Sequence, residues 1–459
     1  MSEPLWTSDA IAAATGGRAT SPFNVTGVSI DSRSIDAGDL FVALAGVRDG
    51  HEFIGKAMSD GAAGVLAARA VDAPAVVTGD TLKALEALGA AARDRSKAVR
   101  GAVTGSVGKT SVTQAVMAGL MLAGRAHSSV KSYNNHIGVP LTLARMPAAT
   151  ERAVFEIGMN HADEITPLSK MVAPQACVIT TVGPVHTENF ADGEAGVAKA
   201  KAEIFAGMGK GGVAILNADN RWFDYLSGEA KAAGLEVRSF GSSATCDGRL
   251  IEFQAANGCV MVQARLHGRA LDFPILQTGT HWGLNSLATL LMLEALDVNL
   301  DLGLAALGSF EPLAGRGAER QVAIAGGAFT LIDESYNANP ISMAATIQSM
   351  GRRSGRKLAV LTDMLELGPD EAAFHASLAE PLEAANIDLV FCAGRLMKSL
   401  WDTLPPTRRG GYADSAAALV PAVVAALSPG DLVMVKGSNG SKAGAIAQAL
   451  SALSPGEPG

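Results

Sequence analysis

A chain of 459 residues exceeds one ordinary hydrophobic core, so about two to four domains are expected. With 48% apolar and 18% charged residues it is globular rather than disordered, and a net charge of -8 argues against a nucleic-acid partner. Cys177, Cys246, Cys259 and Cys392 lack metal-ligand or redox spacing, which points to reduced core thiols in a cytoplasmic protein. The opening "MSEPLWTSDA" has no signal pattern, and "SAAALVPAVVAALS" is too short to span a bilayer and contains Pro421, so no membrane insertion is expected.

The first segment, residues 1–98, begins with short apolar runs between turn residues. It ends in a predicted helix, "TLKALEALGAAARDR", with Leu82, Leu85 and Leu88 on one side and Asp80 or Thr81 as N-cap.

The second segment, residues 99–316, starts with the strand "VRGAVTG". A glycine loop follows, then a helix from Thr110 to about Leu122 stopped by Gly124, with Val112, Val116 and Leu120 on its apolar face. The runs "RAVFEIG", "ACVITTVG" and "GGVAILNAD" read as strands separated by helical patterns, which predicts a parallel sheet covered on both faces. Asn257-Gly258 and His267-Gly268 read as tight turns of an antiparallel insertion. In the third segment, residues 317–459, strands begin near Gln321. The runs "AFTLID", "KLAVLTD", "DLVFCAG" and "DLVMVKG" alternate with helices and predict a second α/β domain; the tail "SPGEPG" is expected to be loose.

The stretch "AVTGSVGKTS" (residues 102–111) carries the first chemical signal. Strand, glycines, GKT and helix in that order suit phosphate, because glycine amides approach closely and the helix N-terminus adds partial positive charge. Lys109 would reach the terminal phosphates and Thr110 would offer its hydroxyl to Mg²⁺. The usual loop wants a glycine at position 103, where Val103 stands.

Glu156 closes the strand "RAVFE", where ligands collect in open α/β sheets; it reads either as a Mg²⁺ ligand or as a solvated strand-end acid. His186 follows "CVITTV" at the same sheet edge, as a ligand or as a hydrogen-bonded structural residue. The stretch "GVAKAKAEIFAGMGKGG" reads as a helix closed by glycines. Lys201 lies on its apolar stripe with Val197, Ile204 and Met208, whereas Lys199 does not. Such a lysine either snorkels to water or is buried with a neutral, reactive amine.

Together these pieces resemble the Mur ligase superfamily of ATP-dependent amide-bond-forming enzymes, over nearly the whole chain. The family's short loop G-[ST]-x-G-K-[ST] is similar to Gly105, Ser106, Val107, Gly108, Lys109 and Thr110, which accounts for Val103. Its strand-end glutamate resembles Glu156 and its metal-binding histidine His186. Its K-x-x-[IL]-F segment, whose lysine is carbamylated by CO₂, resembles residues 201–205. The nucleotide-contacting G-x-H-x-x-x-N pattern resembles Gly279, His281 and Asn285, and the G-R boundary motif supplies Arg316.

Within the superfamily, "SYNNHIGVPLTL", "EIGMNHADEI", "DESYNANPISM" and "DMLELG" resemble the branch that adds D-alanyl-D-alanine to the UDP-N-acetylmuramoyl tripeptide. "DSRSIDAGDLFVALAG" and "DGHEFI" look like a UDP-binding domain shared with the preceding amino-acid-adding ligase, whose D-N-P-R motif the chain lacks. Glu334 stands where the family usually has aspartate, Thr362 where it has glycine, and Asn439 and Lys442 where arginines are common.

The resemblance implies three α/β domains: a small UDP-binding domain, a central P-loop ATPase domain with the antiparallel insertion, and a C-terminal Rossmann-like domain. It implies that ATP activates the tripeptide carboxylate as an acyl phosphate, which the D-Ala-D-Ala amine then attacks to give the peptidoglycan pentapeptide precursor. The implied roles are Lys109, Lys201 and His186 in catalysis, and Thr110, Glu156, His186 and carbamylated Lys201 around two Mg²⁺. Gly105, Ser106, Gly108, Lys109, Thr110, Ser111, Asn285, Arg316, Tyr336, Asn337 and Asn339 would hold the nucleotide. Asp31, Ser32, Arg33, Asn135 and Asp363 would bind substrate, and a monomer is expected. Another ligase of the superfamily, preceding or polyglutamate-adding, and a non-catalytic ATP switch are the alternatives.

Overall fold

The structure, a computed structural model, describes residues 3–46, 48–130, 132–185, 187–256 and 259–453. His186, the Asn257-Gly258 turn and the tail "SPGEPG" lie outside these described residues. Among the described residues three main sheets follow one another along the chain, of five, nine and six strands.

The first sheet is mostly parallel and includes Gly27–Ser29, Asp39–Val42, Gly64–Ala67 and Ala75–Val77. Its backing helix, Thr81–Arg95, starts at Asp80, whose carboxylate accepts from the Leu82 and Lys83 amides. Leu85 and Leu88 are buried beneath it, and Leu82 is half-buried. This helix lies on the helix Gly138–Ala144 of the second unit. Gly89 permits that approach, since a Cβ there would sit 2.9 Å from the Pro140 carbonyl oxygen. Trp6 Nε1 donates to the Ala144 carbonyl at 2.8 Å, and Arg145 Nε to that of Val28 at 2.6 Å, joining the two units.

The central sheet places the loop-bearing strand Val99–Thr104 between Arg152–Glu156 and Ala176–Ile179, all parallel. Val213–Asn217 and Glu236–Gly241 continue it, and apolar clusters cover both faces. The antiparallel insertion is not a separate layer. Gly248–Ala256, Cys259–Leu266 and Arg269–Ile275 extend this same sheet, because Gly248 and Arg249 pair with Phe240 and Gly241. The turn at His267-Gly268 has positive φ at both residues, 47° and 81°, as a two-residue hairpin requires.

The third sheet is parallel apart from one antiparallel edge, but its parallel strands, numbered along the chain, lie in the order 1-5-2-3-4 rather than the 3-2-1-4-5-6 of the doubly wound dinucleotide-binding sheet, so it is Rossmann-like in its alternation of strands and helices and not in strand order. Its first strand, Ala318–Ile324, begins before Gln321, and Arg409–Ala413 is a further edge strand without an apolar run. Gly327–Glu334 and Lys357–Thr362 flank Leu432–Lys436, all three parallel. The run containing Pro421 forms the helix Ala416–Ala426, and among the described residues no helix is long and apolar enough to cross a membrane. Cys177 and Cys392 are buried, with burial pushing Cys392 up to about 12, whereas Cys246 is only half-buried and is not a core thiol.

Candidate active site

The glycine loop sits where the sheet's strand order changes direction, at the carboxyl end of Val99–Thr104. Gly105 has φ 144°, and a Cβ there would lie 2.0 Å from Thr180 Oγ1, so a side chain is excluded. Gly108, at φ 89°, opens the helix Lys109–Ala123 without a side-chain cap, which leaves its first amides facing the cleft. Thr180 Oγ1 donates to the Val107 carbonyl at 2.5 Å, and Ser106 Oγ accepts from the Gly183 amide at 3.1 Å, so the next strand end clamps the loop. Lys109 Nζ donates to the Gly105 carbonyl at 2.7 Å. Burial pulls the Lys109 ammonium below the usual lysine range, and Glu156 opposes the shift.

Glu156 is 1% exposed at its strand end. Its Oε1 accepts from Asn134 Nδ2 at 2.6 Å, while Oε2 is buried without a hydrogen-bond partner among the described residues. A buried carboxylate oxygen left open beside a phosphate loop fits a divalent cation. Thr110 Oγ1, the hydroxyl expected to join it, lies 3.2 Å from Ser132 Oγ and accepts from Arg316 Nη2 at 3.0 Å. Among the described residues no three His, Cys, Asp or Glu side chains form a metal cluster by themselves.

Lys201 does not snorkel: it is 2% exposed. The α-helix carrying it, Glu194–Ala202, is shorter than its sequence pattern and tightens into a 3-10 turn over Glu203–Gly207, so Met208 falls outside it. Burial, with Lys109 adding repulsion, holds the Lys201 amine well below the ordinary lysine range. Lys199 is exposed and pairs with Asp192 at 2.6 Å.

The third unit closes the cleft, which measures about 400 Å³ and is lined by Lys109, Glu156, Asn285, Arg316, Asn337 and Asn339 among others. The Arg316 guanidinium stacks on the Tyr336 ring at 4.1 Å, and Tyr336 Oη donates to Ser132 Oγ at 2.8 Å. Asn339 caps the helix Pro340–Gly351 in a reciprocal box with Ser342. Asn285 packs against Gly108, and half-buried His281 is held below the usual histidine range by desolvation.

Other candidates lie elsewhere. Asp31, Ser32 and Arg33 belong to the first unit, where Asp31 accepts from the Arg33 amide at 3.0 Å and its guanidinium at 2.7 Å. Asn135 Oδ1 accepts from the Gly138 amide at 2.9 Å and so starts a helix. Asp363 Oδ1 accepts from the Met397 amide at 2.9 Å. Sequence reasoning passed over Ser132, Asn134, Thr180 and Lys436. Lys436 carried a usable signal, since it ends the apolar strand run "DLVMVK" as Glu156 ends its own, and Ser132 and Asn134 lie inside the stretch "SYNNHIGVPLTL" that carried the resemblance.

Three family models match in chain order: "Mur ligase family, catalytic domain" over residues 24–101, "Mur ligase middle domain" over 103–293, and "Mur ligase, glutamate ligase domain" over 320–439. The UDP-N-acetylmuramoyl-tripeptide--D-alanyl-D-alanine ligase of Escherichia coli is 34% identical over 80% of this chain and 81% of its own. The chain belongs to the Mur ligase family. The Rickettsia prowazekii ligase of the same name is 29% identical to this Mur ligase over 95% of the chain and 98% of its own. A crystal structure of MurF from Acinetobacter baumannii, 26% identical, matches with a TM-score of 0.85 over 98% of this chain and 99% of that one.

Of this Mur ligase's departures from the family pattern, Asn439 and Lys442 are exposed. Thr362 is buried and shares a 2.5 Å hydrogen bond with Ser441. Glu334 lines the cleft.

Proposed function

We infer that this Mur ligase joins D-alanyl-D-alanine to the UDP-N-acetylmuramoyl tripeptide at the expense of ATP, giving the pentapeptide precursor of peptidoglycan. The observation that carries this reading is the convergence on one cleft of the phosphate loop, the open oxygen of Glu156 and Arg316 of the second unit with Tyr336, Asn337 and Asn339 of the third. It occurs in a chain similar along nearly its whole length to ligases of that name.

A carboxylate is a poor electrophile. Transfer of the γ-phosphoryl to a tripeptide carboxylate oxygen gives an acyl phosphate and ADP. The D-Ala-D-Ala amine then forms the C–N bond, the C–O bond to phosphate breaks, and the amine loses a proton. Phosphoryl transfer asks mainly for positioning and charge neutralisation. Lys109 and the loop amides would balance the transferring charge, and Asn285, Arg316, Tyr336, Asn337 and Asn339 would place the nucleotide. Mg²⁺ on Thr110 and Glu156 would supply further neutralisation of phosphate charge. A carbamate on Lys201 would turn a buried amine into a two-oxygen anion able to help hold a second cation with His186. Closure of the units would keep water from the acyl phosphate.

We assign residues 1–98 to the UDP end, 99–316 to ATP and 317–459 to the dipeptide, in a cytoplasmic monomer. Asp31, Ser32, Arg33, Asn135 and Asp363 are proposed substrate contacts. The deciding experiment measures ADP release with UDP-muramoyl tripeptide, with and without D-Ala-D-Ala. Release that depends on both is expected. Release indifferent to the dipeptide would remove the ligase reading.

A further inference from the structure

Lys436 and Glu334 end neighbouring parallel strands as register partners, and both side chains line the cleft. Lys436 is 2% exposed. Its Nζ lies 3.4 Å from Glu334 Oε2 and donates to the Asn337 carbonyl at 3.1 Å. The other oxygen of Glu334 faces Gly317, where a Cβ would stand 3.3 Å from Oε1.

Stability alone does not account for this arrangement. Residues 432–435 before the lysine are apolar and buried, and well-packed apolar side chains commonly match or exceed a buried ion pair. What an apolar pair could not do is hold a carbonyl. Asn337 belongs to the turn between Tyr336, stacked under Arg316, and Asn339, which caps the helix Pro340–Gly351. The Asn337 carbonyl therefore sets how this turn presents itself to the cleft.

We propose that Lys436, held in place by Glu334, is a positioning residue for the nucleotide-binding turn, and that this chain uses the full length of the glutamate to do it. The strand ladder fixes both Cα atoms. Shortening Glu334 to aspartate would withdraw the carboxylate by about 1.5 Å and open the pair. Lys436 would then lose its counter-charge inside the wall and loosen its hold on the Asn337 carbonyl.

The proposal rests on the nucleotide site of the function proposed above, so its test reads nucleotide binding directly. Full-length Glu334→Asp, Glu334→Gln, Lys436→Arg, Lys436→Met and the double Glu334→Gln/Lys436→Met are titrated with Mg-ADP by calorimetry, alongside melting temperature and steady-state kinetics. Glu334→Asp and Lys436→Met should each weaken Mg-ADP binding about fivefold to tenfold. The KM for ATP should rise in step while the KM for D-Ala-D-Ala stays unchanged. The double variant should lose little more than either single one, and Lys436→Arg should retain most of the affinity. Unchanged Mg-ADP affinity in folded Lys436→Met overturns the proposal, as does additive loss in the double variant. Should Lys436→Met fail to fold, unchanged affinity in Glu334→Asp overturns it equally. A wild-type chain that binds Mg-ADP but forms no ADP with both substrates would defeat the ligase reading and leave this one standing.

Discussion

Asn134 Nδ2 holds Glu156 Oε1 at 2.6 Å, and the second carboxylate oxygen of this cleft-lining residue is buried with no hydrogen-bond partner among the described residues. The amide orients the carboxylate and the free oxygen offers charge, a division of labour typical of cation sites. Asn134→Ala should therefore raise the Mg²⁺ concentration for half-maximal ADP formation by about tenfold. Glu156→Gln should raise it further. A Mg²⁺ titration of initial rates checks both, and an unchanged half-saturation in Glu156→Gln would contradict the assignment.

Lys201 is buried and its amine is held well below the ordinary lysine range. A neutral amine is the form that reacts with CO₂. Lys201→Ala should lose activity by about 100-fold or more, as when an electrostatic contact to the reacting group is removed. Added short-chain carboxylate should restore part of it. Lys199→Ala, on the exposed face, should change little. Equal loss in both variants would count against a special role for Lys201.

Asn339 both caps a helix and lines the cleft. Asn339→Ala removes the cap at a cost of about 1 kcal/mol to the third unit. Asn339→Asp keeps a capping oxygen and should keep the melting temperature, while placing a negative charge beside the phosphates and weakening Mg-ADP binding. Calorimetry and thermal melting on the two variants separate the capping role from the binding role.

His127 donates through Nε2 to the Thr142 carbonyl at 2.7 Å, and burial lowers its value to about 4. The unfolded chain binds this proton near pH 6.5, and the folded chain only near pH 4. Between those values the unfolded state carries more protons, so stability falls as pH drops from 6.5 to 4, by roughly 3 kcal/mol at most for this residue. His127→Gln should flatten the pH dependence of the melting temperature across that window. A slope equal to wild type would mean that other groups carry it.

Gly105 stands at φ 144° with no room for a Cβ against Thr180. Gly105→Ala should abolish measurable Mg-ADP binding, whereas Val103→Ala, inside the strand, should cost stability without altering the loop. Retained affinity in Gly105→Ala would show that the loop can shift.

The sequence by itself determined the alternation of strands and helices, the loop at residues 105–110, the strand-end position of Glu156 and the stripe position of Lys201. Each of these is a matter of period and spacing within a few turns of chain. Tertiary structure decided what no local pattern holds. The strand order sets Thr180 against Gly105, and Asn134 reaches Glu156 from a loop whose pattern shows kinship but not which side chain it will hold. Edge strands such as Arg409–Ala413 lack an apolar run because the sheet covers only part of them. Whether the Lys201 and Lys436 amino groups reach water depended on what packs over them from segments far along the chain. Burial is a property of the assembled neighbours, so the identity of these lysines was legible in the sequence and their state was not.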